Sequence, residues 1–151
     1  MSSLDDLYRE VILDHARSPR RVGLREPFQS EVYQVNPTCG DEVTLRVRLD
    51  GEGTDALLTD VSYQPQGCSI SMASASVMAE RVTGRSVAQA LAAYDSFHTL
   101  VTNRNASPPA AVDDEDDSAA FAGVAKFPAR VKCALLGWTA LREALVRSTA
   151  L

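Results

Sequence analysis

The sequence predicts an α+β fold, with an N-terminal helix, a small three-stranded antiparallel sheet, and then helices packed on one face of that sheet. Three observations lead there. Residues Val43-Thr44-Leu45-Arg46-Val47-Arg48-Leu49 alternate strictly between apolar and polar, the period of a strand with one wet face. Leu4, Leu7, Tyr8, Val11 and Ile12 follow the i, i+3, i+4 spacing of a helix with one buried stripe. After residue 68 only helical periods appear, broken by a loop at 103–118, so strands are grouped between helices instead of alternating with them.

The first helix covers 3–16. Ser3 suits its cap, Asp5 and Asp6 its positive end, and Arg17 with Pro19 its stop. The first strand covers Glu31 to Val35 and the third Leu57 to Gln64, with Thr59, Val61 and Tyr63 as its alternating members. Asp50-Gly51-Glu52-Gly53 supplies turn chemistry between the second and third strands and implies a hairpin. A second helix runs from Ser69 to Val82 and ends at Gly84, suited to a left-handed cap. Ser86, with Gln89 three residues on, opens a third helix in a capping-box arrangement; its stripe is Val87, Ala90, Leu91, Tyr94 and Phe97. Residues 103–118, with Pro108-Pro109 and the acid run Asp113 to Asp117, read as a mobile, solvated surface loop. Pro128 fits the first turn of a last helix reaching about Arg147, with Val131, Ala134, Leu135, Trp138, Leu141 and Leu145 as its buried stripe.

A chain of 151 residues suits one domain, 1–151, with its own core. The net charge of −5 and the lack of a basic patch argue against nucleic acid as partner. The apolar runs are short and interrupted, so no segment spans a membrane, and the N-terminus lacks the pattern of a secretory signal. A cytosolic protein is expected. Thiols stay reduced there, and three cysteines, an odd number, do not make a disulfide framework.

Each cysteine sits at an element boundary. Cys39 lies in the turn Asn36-Pro37-Thr38-Cys39-Gly40-Asp41, with its thiol exposed and Asp41 within reach if the turn curls. Cys68 opens the second helix, where the dipole favours thiolate. Cys133 lies near the start of the last helix. A lone cysteine is usually an inert core residue. At roughly 100° per residue, however, Cys133 points away from the centre of the predicted apolar stripe. Three thiols and a carboxylate form a tetrahedral ligand set for a soft divalent ion, zinc above all, although iron also suits thiolates. Arg130 and Lys132 would offset the charge of such a site, with Arg130 hydrogen-bonding a ligand. His15 is read as a packed or surface histidine and His98 as a weak further ligand candidate at a helix end.

Four stretches, YREVILDHARSPRRVG (8–23), NPTCGD (36–41), GCSISMASASVM (67–78) and FPARVKCALLGW (127–138), resemble the U-type iron–sulfur assembly proteins, and within them the zinc-dependent SufU branch. The resemblance implies zinc held by Cys39, Asp41, Cys68 and Cys133. It also implies that Cys39 receives persulfide sulfur from a cysteine desulfurase, a partner histidine taking over its zinc position, and that the sulfur passes to downstream iron–sulfur assembly proteins. IscU-type scaffolds of the same family place a histidine directly before the third cysteine. Here that position is Lys132, with Arg130 two residues earlier, and the extended stretch before Phe127 is SufU-like. Three functions follow: a sulfurtransferase stimulating the desulfurase, with Cys39 and Arg130 as its working residues; a scaffold for an iron–sulfur cluster; or a structural zinc module that docks to a partner.

Overall fold

The computed structural model describes residues 3–103 and 117–149. Helix α1 (Ser3–Arg17) leads into a three-stranded antiparallel sheet of order β1 (Ser30–Asn36), β2 (Asp41–Asp50), β3 (Leu57–Gln66). Helices α2 (Ser69–Val82) and α3 (Val87–Thr102) follow, then a 3₁₀ segment (Asp117–Lys126) and the long α4 (Pro128–Thr149). The α+β architecture is the one expected. Of the predicted 103–118 loop, residues 104–116 lie outside the described residues.

Strand β2 is central, and its alternation sets the layers. Asp41, Val43, Leu45 and Val47 face inward and are buried, while Thr44 and Arg46 lie on the other face. The inner face packs against α4, and α2 packs on β3. In β3 the sequence pattern misplaces one residue. Arg48 pairs with Asp60 and Leu49 with Leu58, so Thr59 is the extra residue of a bulge. Leu58 therefore points into the core, and Thr59 is exposed with its hydroxyl on the Arg48 carbonyl.

Helix α2 is the buried hub between α1 and α4, which explains its run of small residues. A Cβ on Gly137 of α4 would stand 3.1 Å from the Cβ of Ala75, and the Ser74 hydroxyl donates to the Ala134 carbonyl. Trp138, fully buried, stacks on Phe97 at 4.8 Å between centroids. The Ser86–Gln89 capping box forms as expected.

His15 is buried as the crosspiece between α1, α2 and the 3₁₀ segment: Nδ1 lies 2.7 Å from Ser76 Oγ and Nε2 lies 2.6 Å from Asp117 Oδ2. A carboxylate only accepts, so Nε2 donates to Asp117, and Ser76 Oγ also accepts from the Arg20 backbone N–H. Asp117, assigned above to a solvated acid run, is thus an anchoring residue, and Ser118 beside it is buried.

Candidate metal centre

The centre forms at one end of the sheet, where the β1–β2 turn, the end of β3, the start of α2 and the second turn of α4 meet. Pro37 to Gly40 form the turn. It is closed by the Gly40 N–H on the Asn36 carbonyl at 2.8 Å, with Gly40 at φ +77°, the left-handed conformation that glycine adopts freely. Asn36 adds a local bond, its Oδ1 accepting from the Thr38 N–H at 3.1 Å. This holds Cys39 exposed on the turn, as the sequence indicates.

Asp41 is the first residue of β2, not a member of the turn. Strand alternation, and not curling of the turn, carries its carboxylate inward in phase with Val43, Leu45 and Val47. The carboxylate is only 4% exposed and is fully engaged. Oδ1 accepts from the Cys68 backbone N–H at 3.1 Å, while Oδ2 receives the Ser71 hydroxyl at 2.5 Å and the Cys68 thiol at 3.2 Å. Burial alone would raise its pKa; hydrogen bonds from Ser71, Cys68, Cys39 and Cys133 outweigh that and hold it at about 2. It is an anion at any physiological pH.

Cys68 is the N-cap residue of α2, as expected, and its thiol turns to Asp41 instead of capping the helix. Cys133 requires a correction. Its side chain is 6% exposed, on the buried side of α4 with Gly137, Ala140 and Ala144. The buried arc is wide because α4 packs against both α2 and the sheet, and Val131 and Leu135, placed in the stripe from sequence, are only half-buried. The thiol nevertheless stays outside the apolar cluster and meets Cys39 Sγ at 3.5 Å. Being the sixth residue of α4, Cys133 lies beyond the first turn, where the dipole has faded. Burial pushes its thiol pKa up, and the neighbouring Cys39, Cys68 and Asp41 add to that.

Donor atoms of Cys39, Asp41 and Cys133 lie within 4.8 Å of one another, close enough for one metal ion, and Cys68 Sγ adjoins the group through Asp41. The centre opens into a groove of about 750 Å³ walled by α1, the 3₁₀ segment and the starts of α2 and α4. Tyr8, Ile12, Ile70 and Val124 make its wall largely apolar, and Arg9 and Arg130 line it as well. The Arg130 guanidinium lies 4.8 Å from the centroid of the half-exposed Phe127 ring. Lys132 is exposed. His98 is exposed on α3, four residues before the end of that helix and 6.0 Å from the Tyr94 ring, and is not among the residues grouped at the centre or lining its groove.

Three supporting residues carry weaker sequence signals. Gly67 leaves room for the Asp41 carboxylate, Ser71 bonds it, and Asn36 closes the Cys39 turn. Ser71 stands within the small-residue run, and its place one turn after Cys68 was the available clue.

A family model described as the NifU-like N-terminal domain matches residues 7–145. The chain is 38% identical over 146 residues to the zinc-dependent sulfurtransferase SufU of Bacillus subtilis, covering 97% of this chain and 94% of the relative. It is also 38% identical over 148 residues to the iron–sulfur cluster assembly scaffold protein IscU of Streptococcus pyogenes, covering 98% and 88%. The crystal structure of a NifU-like protein (N-terminal) from Brucella abortus superposes with a TM-score of 0.81 at 26% identity, covering 99% of this chain and 98% of that one. Among the described residues no helix is long and apolar enough to cross a membrane.

Proposed function

The chain belongs to the NifU-like N-terminal domain family, that of the SufU- and IscU-type iron–sulfur assembly proteins, and on that premise we propose that it is a zinc-dependent sulfur carrier working with a cysteine desulfurase. The observation that supports this reading is the inequality of the converging donors. Cys39 is exposed on a turn; Asp41 and Cys133 are buried, and Cys68, though exposed too, is tied to Asp41 by its thiol and its backbone N–H.

Three thiolates and one carboxylate suit a tetrahedral zinc ion, so Cys39, Asp41, Cys68 and Cys133 would hold it. Bound zinc would keep the thiols deprotonated and restrain their reactivity. Cys39 is the ligand free to leave. As thiolate it attacks the outer sulfur of the desulfurase persulfide: a new S–S bond forms on Cys39, the old one breaks, and its electron pair leaves on the desulfurase cysteine as thiolate. The exchange involves no net oxidation. Arg130 offers a cation at the groove for the arriving persulfide charge, and the apolar groove wall supplies docking surface. The Cys39 persulfide is then offered to downstream iron–sulfur assembly proteins.

Metal analysis and intact-protein mass spectrometry test this. One zinc per chain and one added sulfur on Cys39, formed only with desulfurase and cysteine present, are expected. An adduct on Cys68 or Cys133 instead would overturn the assignment. The name of the Streptococcus pyogenes relative favours a second reading, a cluster scaffold. It predicts bound iron and sulfide after anaerobic reconstitution without loss of structure.

A further inference from the structure

The Asn36 side chain is 7% exposed, and its Nδ2 is buried with no acceptor among the described residues. Every acceptor atom of this residue is in use. Oδ1 takes the Thr38 N–H at 3.1 Å, and the backbone carbonyl takes the Gly40 N–H at 2.8 Å and faces the Cys39 thiol at 4.0 Å. A buried amide donor without a partner is costly, and natural structures carry few of them without a reason.

Its position supplies one. Asn36 is the last residue of β1 and pairs directly with Asp41, so the two side chains are cross-strand neighbours, both buried. Both oxygens of Asp41 are already claimed, by the Cys68 N–H and by Ser71 with the Cys68 thiol. Asn36 thus pairs with one donor residue, Asp41, and opens the turn that bears another, Cys39. A zinc ion with three thiolates and one carboxylate leaves the centre with a net charge of −2, and a thiolate sulfur accepts hydrogen bonds that a neutral thiol accepts poorly. A preset amide donor is what such a sulfur lacks.

We infer that Asn36 is a positioning residue of the metal centre, whose side-chain N–H hydrogen-bonds the Cys39 sulfur in its metal-bound, thiolate form. The inference rests on the metal-site reading above. By withdrawing charge from that one sulfur, the bond weakens its hold on the metal relative to the sulfurs of Cys68 and Cys133. It also keeps the sulfur oriented when it lets go. Asn36 thus joins the turn's geometry to the lability of its cysteine.

The test needs no catalysis. In ¹⁵N-labelled protein, the Asn36 side-chain amide proton is expected to move downfield when the metal-free chain takes up zinc. Asn36→Asp keeps the acceptor for Thr38 but removes the donor, and Asn36→Ala removes both. In cobalt-substituted protein each is expected to lower the energy of the sulfur-to-metal charge-transfer band, since an unbonded sulfur gives up charge more readily. Because the bond weakens the hold of Cys39 on the metal, Asn36→Ala is expected to bind the metal more tightly, which chelator competition reads. In a Cys39→Ser background the uncharged Asn36→Ala should leave the band unmoved. An amide resonance blind to zinc, or a band shift that persists without Cys39, overturns the inference. A chain that takes up no metal overturns the function proposed above instead. Should neither variant fold, the amide resonance of the unaltered protein still decides.

Discussion

The carboxylate of Asp41 occupies the space that a side chain on Gly67 would fill: a Cβ built there would stand 2.7 Å from both Cγ and Oδ1 of Asp41. No ordinary contact is that short, so one of the two groups would have to move. Gly67 also precedes the N-cap Cys68, whose N–H bonds the same Oδ1. Gly67→Ala is therefore expected to push the carboxylate out of its cradle and disturb Cys68 at once. Loss of metal affinity of at least tenfold should follow, read by chelator competition. An unchanged affinity would mean that the carboxylate retreats without leaving the centre.

Ser71 is the prop behind Asp41, and Ser71→Ala removes its hydroxyl from a carboxylate that is 4% exposed. Losing a hydrogen bond to a buried charged group costs about 1.5–3 kcal/mol. The metal-free protein should unfold at correspondingly lower urea, with the slope of the transition unchanged. Metal held by Asp41 would restore part of the loss. A denaturation midpoint indistinguishable from that of the unaltered protein would remove Ser71 from this role.

His15 links three elements through two short hydrogen bonds, and its ring is 1% exposed. His15→Ala would leave Ser76 without its ring partner and open a cavity between α1 and α2. Destabilisation of about 2–4 kcal/mol is expected. The segment starting at Asp117 should loosen first, because Asp117 reaches the core through this ring. Amide exchange over 117–126 is the measurement; protection equal to that of the unaltered protein would show that the segment is held by packing of Phe121 and Val124 alone.

Much of this architecture can be read directly from residue patterns. Strict alternation in β2 identifies the central strand, and the Ser86–Gln89 pair identifies the start of α3, because both are local rules. The grouped donors Cys39, Asp41 and Cys133, with Cys68 on Asp41, also stand at places visible in the sequence, since turn, cap and helix start each mark a cysteine or its neighbour. What stays hidden is tertiary. The bulge at Thr59 depends on pairing with Arg48 and Leu49. The width of the buried arc on α4 depends on two neighbours instead of one, and that arc decides whether Cys133 is buried. Asp117 looks like part of a solvated acid run until α1 brings His15 against it. Asn36 and Gly67 look like ordinary turn residues, because what distinguishes them is the group opposite.

Tyr63 gives the alkaline limit of stability. Its ring is fully buried and its hydroxyl donates to the Arg20 carbonyl at 2.7 Å. Burial dominates and pushes its pKa up to about 12, against the partial counteraction of Ser76, Arg20 and Arg25. The unfolded chain loses the same proton near pH 10. Between these values the folded state binds more protons than the unfolded one, so stability falls as pH rises. The contribution is fully present below pH 10 and has gone above pH 12, a loss of about 2–3 kcal/mol. Tyr63→Phe has no phenol to ionise. It should be less stable at neutral pH by about 1 kcal/mol, for the lost bond to Arg20. It should then decline less steeply, so the two stability curves converge and cross as pH climbs through 11. Tyr33, exposed and paired to Glu42, is the control: Tyr33→Phe should keep the steep decline. Urea denaturation at pH 8 to 12 measures all three, and parallel curves for the unaltered protein and Tyr63→Phe would place the alkaline sensitivity elsewhere.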